Sequence, residues 1–550
     1  MMRPSGTLSE QMKRGLVALG VGVVVAALGV WAQNSALVGV NYDDGIYALL
    51  AKAVAAGEGY RLTYLPQDLP GIKYPPVYPL SLVPFWGLAS SQEAALWAMK
   101  VWNGLLIGLA AGLFTLLLSA LRILPTYVAA GVAVLGFAAG SIMLVTAGLL
   151  SEPTYLVVVF AALWAGDRIA RDAPTYRVVA VGLLAALAVL TRAVGVAAVA
   201  AVVLGLWVRS GPRRATQVAA AAGALILPWA VYTVANAGVV PEALVPRYGS
   251  YVQLYLANLA GSPARALEIF WTNFGAILQT LGGKLVPRWG SVAQIVTGGS
   301  LIALAGLGSR IVWKRAPATV TYAWIYLAVI SIWSFPPFRF TFILFPLLLA
   351  LAAVSWIEVG QRLGANIHPG GRGRWLGLAW LGVGGVVAIN LAYAGGRSLA
   401  RRVWDGAELM RSRGAAETVE WVITNTPTDA VIAYEFDALV SLYTGRQTVP
   451  NYYEPIHVWY DGGTPPPSLE PLAQLLVTSG VDYLAGLRDF PQAARTIDSL
   501  LEDYPGCLEL RFVTRSGVLI FATHLEALRT GATAPPDAAA GGSRPGMYAP

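Results

Sequence analysis

The sequence predicts an all-α polytopic membrane protein of about eleven spans, with a small extracytoplasmic α/β domain after the last one. Three observations predict it. Of 550 residues, 56 % are hydrophobic and only 12 % are charged. Apolar runs of roughly 18–20 residues recur, each long enough to cross hydrocarbon as a helix. Beyond about residue 398 the texture changes to short helical and strand-like segments in alternation.

The apolar runs fall at 15–32, 95–120, 127–146, 149–166, 178–191, 194–208, 216–237, 291–309, 318–334, 340–357 and 376–395. The first follows Lys13-Arg14. It is long for a signal-peptide core and no small-x-small site follows it, so it reads as a retained anchor. The fifth and sixth are short, with Arg192 between them, and read as a buried hairpin that does not fully cross. Residues 238–290 read as an outer loop. Its stretch "VPRYGSYVQLYLANL" carries aromatics that either line a lipid groove or simply pack.

Orientation follows from the positive-inside rule. With the N-terminus in the cytoplasm, inner segments hold roughly three times the Lys and Arg density of outer ones. Asp43, Asp44 and Glu152 then lie on the outer face, as does everything after residue 396, because the span count is odd. The net charge of +8 sits in clusters between apolar runs, so it marks topology and not a nucleic-acid partner. The single cysteine, Cys507, rules out an intramolecular disulfide. The histidines, His368, His457 and His524, are far apart, and no Cys/His cluster has zinc spacing, so no metal site is expected.

The chain divides into a membrane part, 1–397, an outer α/β domain, 398–525, and a tail, 526–550. In the outer domain "AAETVEWVITNT" has helical periodicity with Trp421 on its apolar face. "DAVIAYEF", "VDYLAGL", "LELRFVT" and "GVLIFATH" read as strands, with "PLAQLLVTSG" and "ARTIDSLLEDY" as helices between them. The Ala/Gly/Pro-rich tail is expected to be disordered. No internal repeat is visible.

Chemistry is expected in the first outer loop, 33–94. "NYDDGIYALL" sets Asp43 and Asp44 side by side at a low-dielectric edge. Such a pair is costly unless a cation meets it, and Lys73 in "IKYPPVYPLSLVPFW" supplies one. Tyr47 lies one helical turn from the pair. Tyr74, Tyr78, Phe85 and Trp86 suit a membrane interface. A carboxylate pair beside a lysine suits glycosyl transfer: a carboxylate takes the acceptor's proton, and the cation holds a phosphate leaving group. The plainer alternative is a hydrated loop edge. Glu152, at a span start, either joins the site or faces water. Arg192 either binds an anion or snorkels. Arg339, at an outer helix end, favours an anionic ligand.

"NYDDGIYALLAKAVAAGEGY" followed by "IKYPPVYPLSLVPFW" resembles the first outer loop of GT-C glycosyltransferases. These are polyprenyl-phosphate-sugar enzymes that include protein O-mannosyltransferases and lipid A aminoarabinose transferases. "TAGLLSEPTYLVVVFAALW", "AVLTRAVGVAAVAAV" and "SFPPFRFTFILFPLLLAL" resemble later stretches, so the likeness runs through roughly 15–395. It implies a GT-C-like fold and a bacterial inner-membrane enzyme. That enzyme moves a sugar, with inversion, from an undecaprenyl-phosphate-type donor to an extracytoplasmic lipid, glycan or protein. By the same resemblance Asp43 matches the catalytic base, with Asp44 beside it. Glu152 matches a second acidic site, and Tyr47 and Tyr74 position substrate. Lys73 and Arg339 match basic residues that hold the donor phosphate, although Tyr74 separates Lys73 from Pro75-Pro76. Aminoarabinose-type enzymes carry an arginine where this chain has Ile46, so a further phosphate contact is expected from Arg192, Arg247 or Arg288. No cofactor is required, and a divalent cation near Asp43 and Asp44 is compatible with the site. The alternative is a lipid or sugar flippase, which calls for charges along a translocation path and two related halves. Here the charges crowd the outer edge.

Overall fold

The computed structural model describes residues 7–259, 263–365, 372–453, 469–488 and 490–531. His368 and His457 lie outside them. The helices of the first half are α1 (Thr7–Trp31), α2 (Asp43–Ala55), α3 (Val77–Leu88), α4 (Gln92–Ala120), α5 (Thr126–Phe137), α6 (Gly140–Ala147), α7 (Glu152–Gly166), α8 (Thr175–Thr191), α9 (Val196–Ser210) and α10 (Pro212–Ala235). Then follow α11 (Val245–Tyr248), α12 (Tyr251–Leu259), α13 (Pro263–Leu285), α14 (Ser291–Val312), α15 (Pro317–Ser331), α16 (Thr341–Ala365) and α17 (Arg372–Ala400).

Every one of the eleven apolar runs is helical. Among the described residues seven helices are long and apolar enough to cross a membrane. The pair α5–α6, bent by 62° at its break, makes an eighth. The remaining expected spans, α7, α8 and α15, are apolar but shorter, at 15, 17 and 15 residues. The hairpin at Arg192 is real: the chain turns so tightly that a Cβ on Gly195 would lie 2.2 Å from the Ala188 backbone. Its second arm, however, runs Ala193–Ser210 and is long enough to span, which corrects that part of the expectation. A second correction concerns 238–290, which is not merely a loop. It holds the 23-residue α13, with Ile269, Ile277 and Leu281 buried and Leu267 and Trp271 exposed. Charge and polar residues interspersed along α13 hide it from a hydropathy reading.

The bundle closes through glycine contacts between α1 and α4. A Cβ on Gly108 would lie 2.4 Å from that of Ala26, and one on Gly104 2.7 Å from the Val30 nitrogen. With no apolar driving force between helices in lipid, close backbone approach of this kind holds them together.

After α17 come α18 (Asp405–Asn425), β3 (Val431–Ala433), α19 (Asp437–Thr444), β4 (Gln447–Val449), α20 (Glu470–Thr478), β5 (Tyr483–Leu487), α21 (Pro491–Asp503), β6 (Leu508–Val513), β7 (Val518–Thr523) and α22 (Leu525–Gly531). The tiny β1 (Arg61–Leu62) and β2 (Leu69–Pro70) form a separate ladder in the first outer loop. The larger sheet has the order β4-β3-β5-β7-β6. β3 pairs in parallel with β4 and β5, while β7 is antiparallel to β5 and β6. β4 is the strand that sequence reading missed, being only three residues long. Trp421 packs edge-on against Tyr483 at 5.5 Å. The expected tail begins later than residue 526, since α22 continues to Gly531; 532–550 lie outside the described residues.

This α/β region docks on the outer loop and the end of α1. Arg402 donates to the carbonyls of Trp31, Ala32 and Gln33. Asn34 donates to Asp405 and Glu408, and Thr448 N–H to the Tyr64 carbonyl. Gly39, at φ 113°, lies under Leu439, where a Cβ would approach to 2.5 Å.

Candidate active site

The site begins with the helix that "DDGIYALLAKAVA" forms. Two acids in the first turn favour an N-terminus. Gly57, at φ 80°, ends the helix, with Gly57 N–H on the Val54 carbonyl and Glu58 N–H on that of Ala53. The preceding Tyr42 adopts φ 62°, a left-handed conformation that a bulky residue rarely takes. That turn sends Asp43 and Asp44 in different directions.

Asp43 enters a cluster of charge. Its Oδ2 meets Arg339 Nη2 at 3.0 Å and its Oδ1 accepts from the Tyr74 hydroxyl at 2.8 Å. Arg339 also donates from Nε to Glu152 Oε1 at 2.8 Å. The same Oε1 faces Arg192 Nη1 at 2.9 Å. Arg192 donates to Ser151 Oγ at 2.8 Å, and that hydroxyl lies 3.2 Å from the Tyr47 hydroxyl. Arg339 therefore bridges two carboxylates that are far apart in sequence. Asp43 and Arg339 keep 24 % and 22 % side-chain exposure while Glu152 keeps none, so the cluster opens on the Asp43 side.

Lys73 stands next to it. Its Nζ donates to the carbonyls of Pro246 and Arg247 at 3.2 and 2.8 Å, below the Phe335 ring at 5.3 Å. Burial pulls its pKa down to about 8, against the pull of Asp43. Burial also pushes the Asp43 carboxyl up, but Arg339, Lys73, the Tyr74 hydroxyl and Arg192 outweigh it. The net result is a pKa below the usual carboxylate value. Three cations thus face two carboxylates, one positive charge in excess. Tyr47 stacks edge-on against Tyr74 at 5.1 Å and Tyr78 at 4.8 Å, which fixes all three rings.

The structure does not bring the other expected residues to this cluster. Asp44 turns back on the chain, where its Oδ1 accepts from the backbone N–H of Asn41 at 3.2 Å and of Gly45 at 3.0 Å. Burial raises its pKa to about 7, with Glu408 adding to the rise and Lys100 opposing it. Adjacent residues on a helix are about 100° apart, and here that angle separates two tasks. Arg247 points to the α/β domain: Nη2 pairs with Asp437 Oδ1 at 3.0 Å, and its guanidinium covers the Tyr42 ring at 4.6 Å. Arg288 is exposed in the turn after α13. Ile46 is buried, so nothing cationic replaces the absent arginine at that point. Among the described residues no three His, Cys, Asp or Glu side chains could jointly hold a metal ion.

Sequence reading missed Ser151, which links Tyr47 to Arg192, and Asn103, which accepts from Tyr78 and donates to the Leu150 carbonyl. Asn103 had a signal, a lone amide inside an apolar span. Ser151 had none beyond its place beside Glu152.

A bundle of apolar helices followed by a small sheet-containing domain is the GT-C-like fold expected from the sequence. Among solved structures the chain is similar to ArnT from Cupriavidus metallidurans bound to undecaprenyl phosphate. The TM-score is 0.54 at 14 % identity, covering 93 % of this chain and 98 % of that one. It is similar also to ArnT in the apo state, with TM-score 0.53 at 13 % identity over 92 % and 97 %. A weaker likeness, TM-score 0.43 at 15 % identity, is to the mycobacterial arabinofuranosyltransferase AftD, of which it covers 40 %. No protein-family model and no curated protein matches the sequence.

Proposed function

We propose that the chain is an inverting membrane glycosyltransferase that takes a sugar from a polyprenyl-phosphate donor. The observation that carries this reading is the Asp43–Arg339–Glu152–Arg192 cluster, with Lys73 beside it and one cation in excess. The fold supports it, since a structure of that fold was solved with undecaprenyl phosphate bound.

In this reading the donor phosphate takes the excess positive charge, contacting Lys73 and Arg339. Glu152 cannot leave its two arginines without burying an unpaired charge, so it holds them in position. The acceptor hydroxyl attacks the anomeric carbon from the face opposite the phosphate. The new C–O bond forms as the bond to phosphate oxygen breaks, and the hydroxyl proton passes to Asp43. The polyprenyl phosphate departs with the bonding electrons, its charge held by Arg339 and Lys73. The neighbouring cations keep Asp43 ionised against burial, which leaves it able to accept that proton but at lowered basicity. Nothing in these steps passes through a metal ion. Sugar and acceptor are set by groups around the open side of Asp43.

The test is release of polyprenyl phosphate from sugar-loaded donor by the purified protein. Asp43→Asn keeps the size of the side chain and removes the basic oxygen, and turnover is expected to fall by roughly 10²–10⁴-fold. A folded Asp43→Asn protein with normal turnover overturns the proposal.

A further inference from the structure

At the bundle end opposite Asp43 the structure holds a second cationic feature, outside the proposed site. A cavity of about 380 Å³ opens between the start of α1, the turn after α4, the end of α14 and the last turns of α16. Arg14, Arg122 and Arg315 line it, with Glu358 as the one carboxylate. That carboxylate also accepts from the exposed Arg362 at 2.8 Å, so one acid faces three lining arginines and a fourth beside it. Arg315 spends Nη1 on the Arg122 carbonyl at 3.0 Å. The Arg14 Nε is buried with no hydrogen-bond partner among the described residues. Thr126, the first residue of α5, also lines the cavity, and no side chain caps that helix. Ile311, Val354 and Ile357 make the opposing wall apolar.

Three guanidinium groups gathered at one cavity repel one another, and leaving a buried guanidinium nitrogen without an acceptor is costly. An anion removes both costs. We infer that this cavity binds the phosphate of an acidic membrane lipid. Guanidinium groups match phosphate oxygens two at a time. The apolar wall and the position where hydrophobic helices end suit the glycerol and the first methylenes of a lipid. Basic pockets between membrane helices take acidic head groups by this chemistry. Free phosphate shares the polar contacts but leaves the apolar wall empty.

The experiment is native mass spectrometry of the full-length protein in detergent, titrated separately with phosphatidylglycerol and phosphatidylethanolamine. Melting curves with either lipid or with inorganic phosphate accompany it. Phosphatidylglycerol is expected to remain bound at about tenfold lower concentration than phosphatidylethanolamine and to raise the melting temperature. Arg14→Gln with Arg122→Gln is expected to abolish that preference; Arg14→Gln alone, at a half-buried position of α1, serves if the pair does not fold. Equal retention of the two lipids, or a preference that survives Arg14→Gln unchanged, overturns the site. A melting shift from inorganic phosphate as large as that from phosphatidylglycerol overturns the lipid as its source. Turnover of the polyprenyl-phosphate donor is not the readout, so failure of either proposal leaves the other standing.

Discussion

Arg339 holds both Asp43 and Glu152, and a lysine in its place has one point charge for two carboxylates. Arg339→Lys is expected to lower kcat/KM for the lipid donor by about 10- to 100-fold, the effect of losing one charge-assisted contact of roughly 1.5–3 kcal/mol. Steady-state kinetics against donor concentration checks it. Lys73 carries its charge below a pKa of about 8 and loses it above. The KM for donor should therefore rise as pH passes through about 8 and stay flat below, and Lys73→Gln should remove that alkaline limb. Asp44 makes a different prediction, about stability. Burial raises its folded pKa to about 7, so the folded chain holds the proton more tightly than the unfolded chain. The resulting stabilisation is fully present below the ordinary carboxylate range and is lost as pH rises through about 7. Asp44→Asn stays neutral at every pH. Its melting temperature should come closest to wild type near pH 4, exceed it by a growing margin as pH rises to about 7, and keep that margin at pH 8, with turnover little changed.

At the scale of elements, α2 is a helix with two faces and two attachments. Its first residue reaches the charge cluster, its second is held by backbone N–H groups near Glu408 of α18, and Gly45 lies against Ala438 of α19. The outer loop is thus clamped between the bundle and the α/β domain. The α1–α4 contact is the matching device within the bundle. Gly108→Ile would place a branched side chain where a Cβ already lies 2.4 Å from Ala26, and overpacking of this kind costs on the order of 1–3 kcal/mol. Gly223, with nothing within 4 Å of its Cβ position, is the control. In thermal unfolding Gly108→Ile should melt well below wild type, and Gly223→Ala should not.

At the scale of the whole molecule, the charge cluster, the β1–β2 ladder and the docked α/β domain share one end, and the arginine cavity occupies the other. By the positive-inside rule the arginine end is expected in the cytoplasm. Reporter fusions should therefore place residues 60 and 420 outside and residues 172 and 312 inside. A cytoplasmic residue 420 would reverse the orientation and set the proposed acceptor on the wrong side of the membrane.

Helical runs, their order and the α/β character after residue 398 were legible in the sequence, because hydropathy and periodicity are local properties. The GT-C likeness was legible in "NYDDGIYALL" and "IKYPPVYPLSLVPFW" for the same reason: each motif lies within one short stretch. The sequence named Asp43, Glu152, Arg192 and Arg339 one at a time, but only tertiary structure decided that Arg339 bridges Asp43 and Glu152, which lie 296 and 187 residues from it. It also decided that Asp44 leaves the cluster and that Arg247 serves the docked domain. No local pattern encodes those outcomes. The first depends on which loops the bundle brings to one end, and the second on the angle between adjacent helical residues and the strained turn at Tyr42 that sets it. α13 escaped notice because its apolar face is shared between protein and surroundings, and only packing shows which side is which.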